Sequence, residues 1–554
     1  KAYDIYSYNP IPDTYTYRFA GSCTTTSLTQ TWTQPVTMVS KLFLNYERIF
    51  GKHSVKALVI GEFTDFNSNT FSAYRTGYYT TAIEQLFAGS STGQTCTGTE
   101  SADGRISYAG RFNYTYSDKY LLETTFRYDA SPRFAPDVRW GFFPSVMAGW
   151  RLSEENFIKD NLQFVNNLKF RVSYGQAGVD NIASYNYMTG YQYSGGFVDN
   201  SELQLGLTSK GLANLNTTWE KHITYNAGID FGLLNDMLYG AFDVFYKERS
   251  GILTTRSGSL PSTFGANLPY ENLNSANYRG FEFQLGYRDK IGEIEYNIDG
   301  NIAWNRGKYG HVEESDFSDS DQYTRLRYQN SGRWISRYFG LEDAGLFQSQ
   351  AEIDAWPVIQ DNNNNTTLRP GDVKYLDFDG DNKITDLDYH VIGKGDIPEI
   401  TYGLNISGKW KEFDLSMLWQ GATNYSIIEP GMRPYQFTPS TMSAVQLDYW
   451  TLENTDARYP RIGISGFNNN KYSSTFWLID AYYVRLKNIQ LGYSLPKFLI
   501  KRTGMSDLRL YISAVNLLTI SNVKHSDPEV QSWTGDYIFF PQQKTISLGI
   551  NMSF

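Results

Sequence analysis

Hydrophobic and polar residues alternate along most of this chain. At its end Ile546, Leu548, Ile550, Met552 and Phe554 share one parity, and Thr545, Ser547, Gly549, Asn551 and Ser553 share the other. Successive side chains of a β-strand point to opposite faces, so this segment has an apolar side and a small polar side. The pattern recurs in pairs of segments joined by short turns. Residues 106–116 set Ile106, Tyr108, Phe112, Tyr114 and Tyr116 against Ser107, Arg111, Asn113 and Thr115. They turn at 117–119 into 120–129, where Leu122, Phe126 and Tyr128 oppose Glu123, Thr125 and Arg127. Segments 223–233 with 238–247, 281–288 with 293–304, and 400–410 with 413–419 repeat the arrangement.

This spacing predicts roughly fifteen strands of about ten residues, the length a tilted strand needs to cross a bilayer. Long polar connections are expected at about 178–218, 249–277, 306–398 and 421–475, alternating with the short turns. Short turns at one end and long loops at the other are typical of outer-membrane barrels. A soluble propeller or sandwich also alternates, with shorter strands and more even connections.

Composition sharpens the choice. Aromatics make up 16% of the 554 residues (43 Tyr, 34 Phe, 12 Trp), yet only 41% are hydrophobic, and mean hydropathy is −0.44. Many aromatics at modest hydropathy suit strands apolar on one face with aromatic girdles at two interfaces. No apolar run is long enough for a spanning helix. The net charge of −9 argues against nucleic acid as a partner. The two cysteines, Cys23 and Cys96, lie in polar stretches; they could pair in an oxidising compartment or stand as free loop thiols. The chain opens at Lys1 without a leader, although an outer-membrane protein needs export. The expectation is therefore the C-terminal portion of something longer.

Several stretches go beyond pattern. Residues 126–155, FRYDASPRFAPDVRWGFFPSVMAGWRLSEE, are followed by LKFRVSYGQAG at 168–178 and by Trp219-Glu-Lys. Then come Tyr338-Phe-Gly, GLFQSQ at 345–350, GDVKY at 371–375, YWTLENTDARYPR at 449–461 and LKNIQLGYSLP at 486–496. In this order, and with the terminal aromatic strand, they resemble SusC/RagA-type TonB-dependent transporters of the Bacteroidetes. The resemblance implies an all-β fold, a transmembrane antiparallel β-barrel of 22 strands in the family, with an N-terminal plug inside it. This chain would cover roughly the last two-thirds of that barrel, residues 1–554 all belonging to it, with 306–398 as a large extracellular loop region. It implies coupling to TonB through the missing N-terminal part, a SusD-like surface lipoprotein as lid, and outer-membrane lipid around the wall. The implied function is import of glycans or oligopeptides. A lid-less siderophore-type receptor, a passive porin, and a surface β-structured enzyme or adhesin are the alternatives.

The sharpest local motif runs from Asp377 to Asp388. Positions 1, 3, 5, 7, 9 and 12 of a calcium loop fall on Asp377, Asp379, Asp381, Lys383 (through its carbonyl), Thr385 and Asp388. Asn382 stands where such loops carry glycine, and Asp388 replaces their bidentate Glu. A structural Ca2+ is one reading, a solvated Asp/Gly/Asn turn the other. Signatures of catalysis are poor: there is no HExxH and no CxxC, and the phosphate-loop spacing at 403–409 is followed by Trp410 inside a strand. No enzyme is expected. Arg111, Glu123, Arg127, Arg171, Asp230, Asp243, Glu282 and Asp299 should line the interior as a polar wall that pairs with itself, a plug or a passing solute. Tyr187, Tyr191, Tyr193, Trp334 and Trp356 could stack on sugar rings or serve as loop packing.

Overall fold

The computed structural model describes residues 4–9, 14–19, 25–80, 82–199, 202–256, 262–266, 268–428, 447–462, 469–500, 504–524, 527–529 and 542–554. Its framework is one antiparallel sheet of fifteen strands, each paired with the next along the chain. They are β1 (Ser27–Phe50), β2 (His53–Thr76), β3 (Thr95–Tyr116), β4 (Tyr120–Ala130), β5 (Trp140–Arg151), β6 (Val165–Val179), β7 (Glu220–Leu233) and β8 (Leu238–Thr254). There follow β9 (Glu271–Ile291), β10 (Ile294–Tyr309), β11 (Ile400–Trp410), β12 (Phe413–Ile428), β13 (Leu478–Ser494), β14 (Asp507–Ser521) and β15 (Thr545–Ser553).

At one end the connections are tight. Ser117 and Asp118, and then Leu234, Asn235 and Asp236, take positive φ, the conformation that matches a hairpin turn to the twist of its strands. At the other end the connections are long. Several strands exceed the ten residues expected: β1 and β2 have 24, β3 has 22 and β9 has 21. Extending a ladder satisfies main-chain donors that a loop would have to satisfy by other means; the connection expected at 249–277 contracts to 255–270, whereas those expected at 178–218 and 306–398 keep nearly their length. The 178–218 connection itself holds a hairpin, Tyr191–Asp199 against Glu202–Ser209.

Register sorts the side chains as their parity predicts. Ile298, Ile302 and Trp304 of β10 pair with Ile406, Tyr402 and Ile400 of β11 on the apolar face. Met417 on β12, Ile489 on β13 and Ala514 on β14 continue that row, and Ile546 completes it on β15. Two belts of rings bound this face. Tyr116, Tyr120 and Trp150 stack in series near the tight turns, as do Trp410 and Phe413. Tyr108 and Tyr128 both stack on Trp140 toward the long connections. Trp140 and Trp150 lie ten residues apart on β5; ten residues span about 33 Å along a strand, or about 25 Å of height at the usual tilt. Large apolar groups between the belts are bare, Val172 at 57% and Phe142 at 55% exposure.

Buried apolar clusters form on the strands toward the long-connection end, around Phe143 with Trp219 and around Tyr425 with Tyr483, and also beyond that end. Leu341, Leu346, Val373, Tyr375 and Trp450 make one buried cluster, Phe347, Ile353 and Leu368 a second, and Tyr459 with Trp477 a third. This cap is built from the β10–β11 and β12–β13 connections together.

With the band in a bilayer, Leu404→Arg near its middle should cost about 2–4 kcal/mol. Asn405→Arg, one residue on and on the polar face, should cost much less. Urea unfolding of the two variants in lipid vesicles measures the difference, and equal costs would refute the assignment of faces.

Candidate functional site

The polar face of the sheet carries every wall residue expected from the sequence: Arg111, Glu123, Arg127, Arg171, Asp230, Asp243, Glu282 and Asp299 all share it by register. Most of those described with ionic partners pair within the wall. Arg171 on β6 reaches across two strands: its Nη1 and Nη2 donate to the two Asp243 oxygens on β8 at 2.7 and 2.6 Å, and its Nε donates to Asp230 on β7 at 3.1 Å. Lys169 adds a contact to Asp230 at 2.9 Å. Gly228 lies between them; a Cβ there would come within 2.6 Å of the Asp243 carboxylate and 2.8 Å of the Arg171 guanidinium. The absent side chain opens the path for the fork. Arg111 approaches Glu123 at 3.8 Å, and Arg127 donates to Asp129.

The sequence reading missed the rest of this network. Asp414 on β12 accepts from Arg509 on β14 at 2.8 Å. Arg105 donates to Asp180 at 2.6 Å, and Arg133 to Asp103 at 2.7 Å. Parity puts Asp414 and Arg509 on the right face, but their meeting needs the register across β13. A concavity of about 650 Å³ opens on the same face, lined by Asp243, Glu282, Asp299, Asn301, Thr401 and Gln420 among others. Carboxylates, amides and hydroxyls share its lining with apolar groups such as Ala241 and Ala303, and the polar groups suit hydrogen-bonding to a hydrated solute.

In the cap, buried polar groups hold two chain segments together. Asp372 is fully buried and lies 2.7 Å from Arg461. Burial pushes its carboxyl above the usual range even though Arg461 opposes the shift. Asn470 donates to Asp372, Gln360 donates to the Val373 carbonyl, and Tyr375 donates to the Asn469 carbonyl.

The acidic loop lies on this cap. Asp377, Asp379 and Asp388 gather so that one carboxylate oxygen from each lies within 4.8 Å of the others. Asp388 is fully buried and accepts from the Phe378 and Thr385 main-chain N–H groups at 2.7 and 2.6 Å. Asp377 accepts from the N–H groups of Gly380 and Asn382, both at 2.7 Å. Asn382 takes φ 63°, so an amide residue supplies the left-handed turn usually left to glycine. Partial burial raises the Asp379 carboxyl above its ordinary value; an N–H from Asp381 opposes this, and the charges of Asp388, Asp381 and Asp377 reinforce it. Three carboxylates crowded in this way could hold a cation. Asp381 lies outside the trio; its carboxylate accepts from the Lys383 N–H.

Of the five loop aromatics, Tyr191 and Tyr193 are exposed at 75% and 77% on the 191–209 hairpin, and Tyr187 is half-buried. Trp356 packs on Phe347, and Trp334 lies under two guanidinium groups. Cys96 is unpaired and exposed, and Cys23 lies outside the described residues.

A family model described as TonB dependent receptor-like, beta-barrel matches residues 1–517. TonB-dependent receptor P3 of Formosa agariphila is 27% identical over 541 residues, 93% of this chain and 52% of that protein. TonB-dependent receptor SusC of Bacteroides thetaiotaomicron is 29% identical over 465 residues, 81% of this chain and 44% of that protein. Among solved structures, the RagAB peptide transporter superposes with a TM-score of 0.78 at 20% identity, covering 96% of this chain and 57% of that one. The chain spans about half the length of the curated relatives it matches.

Arg171→Met leaves Asp230 and Asp243 facing each other without their shared cation. The expected loss is about 2–4 kcal/mol, toward the low end of a buried pair because water reaches this face. Urea unfolding in lipid vesicles measures it, and an unchanged midpoint would mean the fork carries no net stability.

Proposed function

The chain belongs to the TonB-dependent receptor-like β-barrel family, a family of outer-membrane receptors rather than enzymes, and from that premise we propose that it forms most of the wall of an active importer. The carrying observation is the pairing of a bare, ring-bounded apolar face with a face of self-paired charges and amides. Such a wall suits lipid on one side and a hydrated solute on the other. Both edges of the sheet, on β1 and on β15, lack a neighbouring strand among the described residues. An unpaired edge is not tolerated in lipid, which supports further strands closing the barrel. A plug-bearing N-terminal segment inside it would connect to TonB.

In this reading the tight turns face the periplasm. The cap, with 306–398 as its larger part, stands outside the cell and docks a SusD-like surface lipoprotein. The solute is a glycan or oligopeptide too large for passive pores; the likeness to RagAB, a peptide transporter, supports the second class. Transport here is binding and release without bond chemistry. The full-length protein, pulled down from native membranes in detergent, should bring a surface lipoprotein with it. Uptake of its solute should stop when the proton gradient is dissipated. Uptake that persists without the gradient would favour a passive pore and overturn the proposal.

We further propose that the acidic loop takes a structural Ca2+, with Asp377, Asp379 and Asp388 as its carboxylates and Asp381, Lys383 and Thr385 completing the set by loop spacing. Ca2+ at a hundredfold excess over Kd should stabilise the cap by about 3 kcal/mol at neutral pH. The sign follows from Asp379. Its raised folded value means that the protonated form helps the cation-free fold, and that this help is lost as pH rises. A cation offsets the repulsion at neutral pH, so its benefit should fade on acidification from above the ordinary carboxylate range. Limited proteolysis of the cap with and without Ca2+ reads this, and equal resistance at neutral pH would remove the ion.

A further inference from the structure

Beyond the upper ring belt, the apolar face turns basic on β9 and β10, while Glu248 holds the same outward row on neighbouring β8. On β10 the outward parity runs Ile298, Ile302, Trp304 and then Arg306 and Lys308. On β9 it runs Phe283, Phe281 and then Arg279, which pairs directly with Arg306. Arg306 is therefore one outward position past Trp304, about 7 Å farther along the strand. Where β11 ends, residues 333–335 take over as neighbour of β10: Tyr309 N–H donates to the Arg333 carbonyl and Ile335 N–H to the Gly307 carbonyl. That pairing sets Trp334 opposite Lys308. The indole lies 3.9 Å from the Arg306 guanidinium and 4.8 Å from that of Arg279, so all three side chains share this face.

A cavity of about 740 Å³ opens beside them, lined by Arg306, Lys308, Arg333, Trp334, Arg337 and Lys394 among others. Few carboxylates balance it. Glu399 takes Arg306 at 2.8 Å, Asp480 accepts from the Ser426 hydroxyl, Glu314 accepts main-chain N–H groups of Asn330 and Ser331, and Glu248 lies two strands from Lys308 in the same outward row. Arg279, Lys308, Arg333, Arg337 and Lys394 have no carboxylate partner among the described residues, in a chain whose net charge is −9. Burial and then the neighbouring Arg333 lower Arg337 below the ordinary arginine value, against smaller opposing effects of Tyr309 and Glu314.

Position decides what such a cluster meets. It is on the lipid-facing side, just past the rings that mark the edge of the hydrocarbon, at the end of the barrel bearing the cap. Lipid headgroups lie at that height, and the groups among them that match guanidinium forks are phosphates. We propose that Arg279, Arg306, Lys308 and Lys394, with the Trp334 indole holding two of the guanidinium groups in place, form a binding site for a phosphate-bearing headgroup of an outer-leaflet lipid. The site is independent of the transported solute; it rests only on the orientation that sets the cap outside the cell.

The test uses the full-length protein in phosphatidylcholine nanodiscs doped with diphosphoryl lipid A or with the same lipid after phosphatase treatment. Native mass spectrometry counts the lipid retained. The variant is the double substitution Arg279→Gln and Lys308→Gln, which spares the Arg306–Glu399 pair. Unaltered protein should retain the phosphorylated lipid at least tenfold better than the dephosphorylated one, the factor a lost pair of charge-assisted contacts gives. The double variant should lose that preference while keeping its melting midpoint. Equal retention of both lipids, or a preference untouched in the double variant, would overturn the site. So would displacement of the lipid by millimolar inorganic phosphate, which would mark a site for the free anion.

Discussion

Lipid offers no partner to a main-chain N–H or C=O, and the architecture of this chain follows from that constraint. Between the ring belts, each strand from β2 to β14 satisfies its main chain through neighbours on both sides. Side chains are left with one choice, which face they occupy. Because the strand period is two, that choice is made residue by residue. A single wall can then be apolar at Ile298, Ile302 and Leu404 and ionic at Asp299, Asp243 and Arg171 without any interior core between.

The polar face meets a different difficulty, that of keeping many ionic groups soluble together without collapse. Its answer is cross-strand pairing at close quarters, with glycine where a fork must pass, as at Gly228. Pairing removes most of the wall's free charge and leaves a surface of satisfied hydrogen-bonding groups, over which a solute can pass without being held by one strong contact. The cap follows ordinary globular rules instead, with Trp477 and Tyr375 fully buried and its buried amides answered one by one.

Much of this was legible in the sequence, for identifiable reasons. Parity alone assigned faces correctly at all eight wall residues, because a one-residue slip would have moved Ile400, Tyr402 and Leu404 off the apolar row together. The turns at 117–119 and 234–237 were legible from their Ser, Asp and Asn residues. Strand length was not, because nothing in the residues of β1 or β2 marks where a ladder leaves the membrane and simply continues. The Arg171 fork and the Asp414–Arg509 pair join residues on different strands, and pairing by sequence needs a register that composition does not encode. The acidic loop was legible through its spacing, whereas the burial of Asp388 depends on the cap around it. The basic cluster at Arg279 and Arg306 escaped notice because each residue, taken alone, is one more polar position past a strand.

The cap is sewn from two connections rather than one. Leu341 N–H donates to the Ser473 carbonyl, Val373 N–H to the Asn470 side chain, and the Trp450 indole to Gln348, while Arg461 grips Asp372. These stitches join stretches about a hundred residues apart in sequence. Mechanically, a pull on either connection is passed to the other through these stitches. The described parts of the two connections should therefore move together when β10, β11, β12 or β13 shifts beneath them.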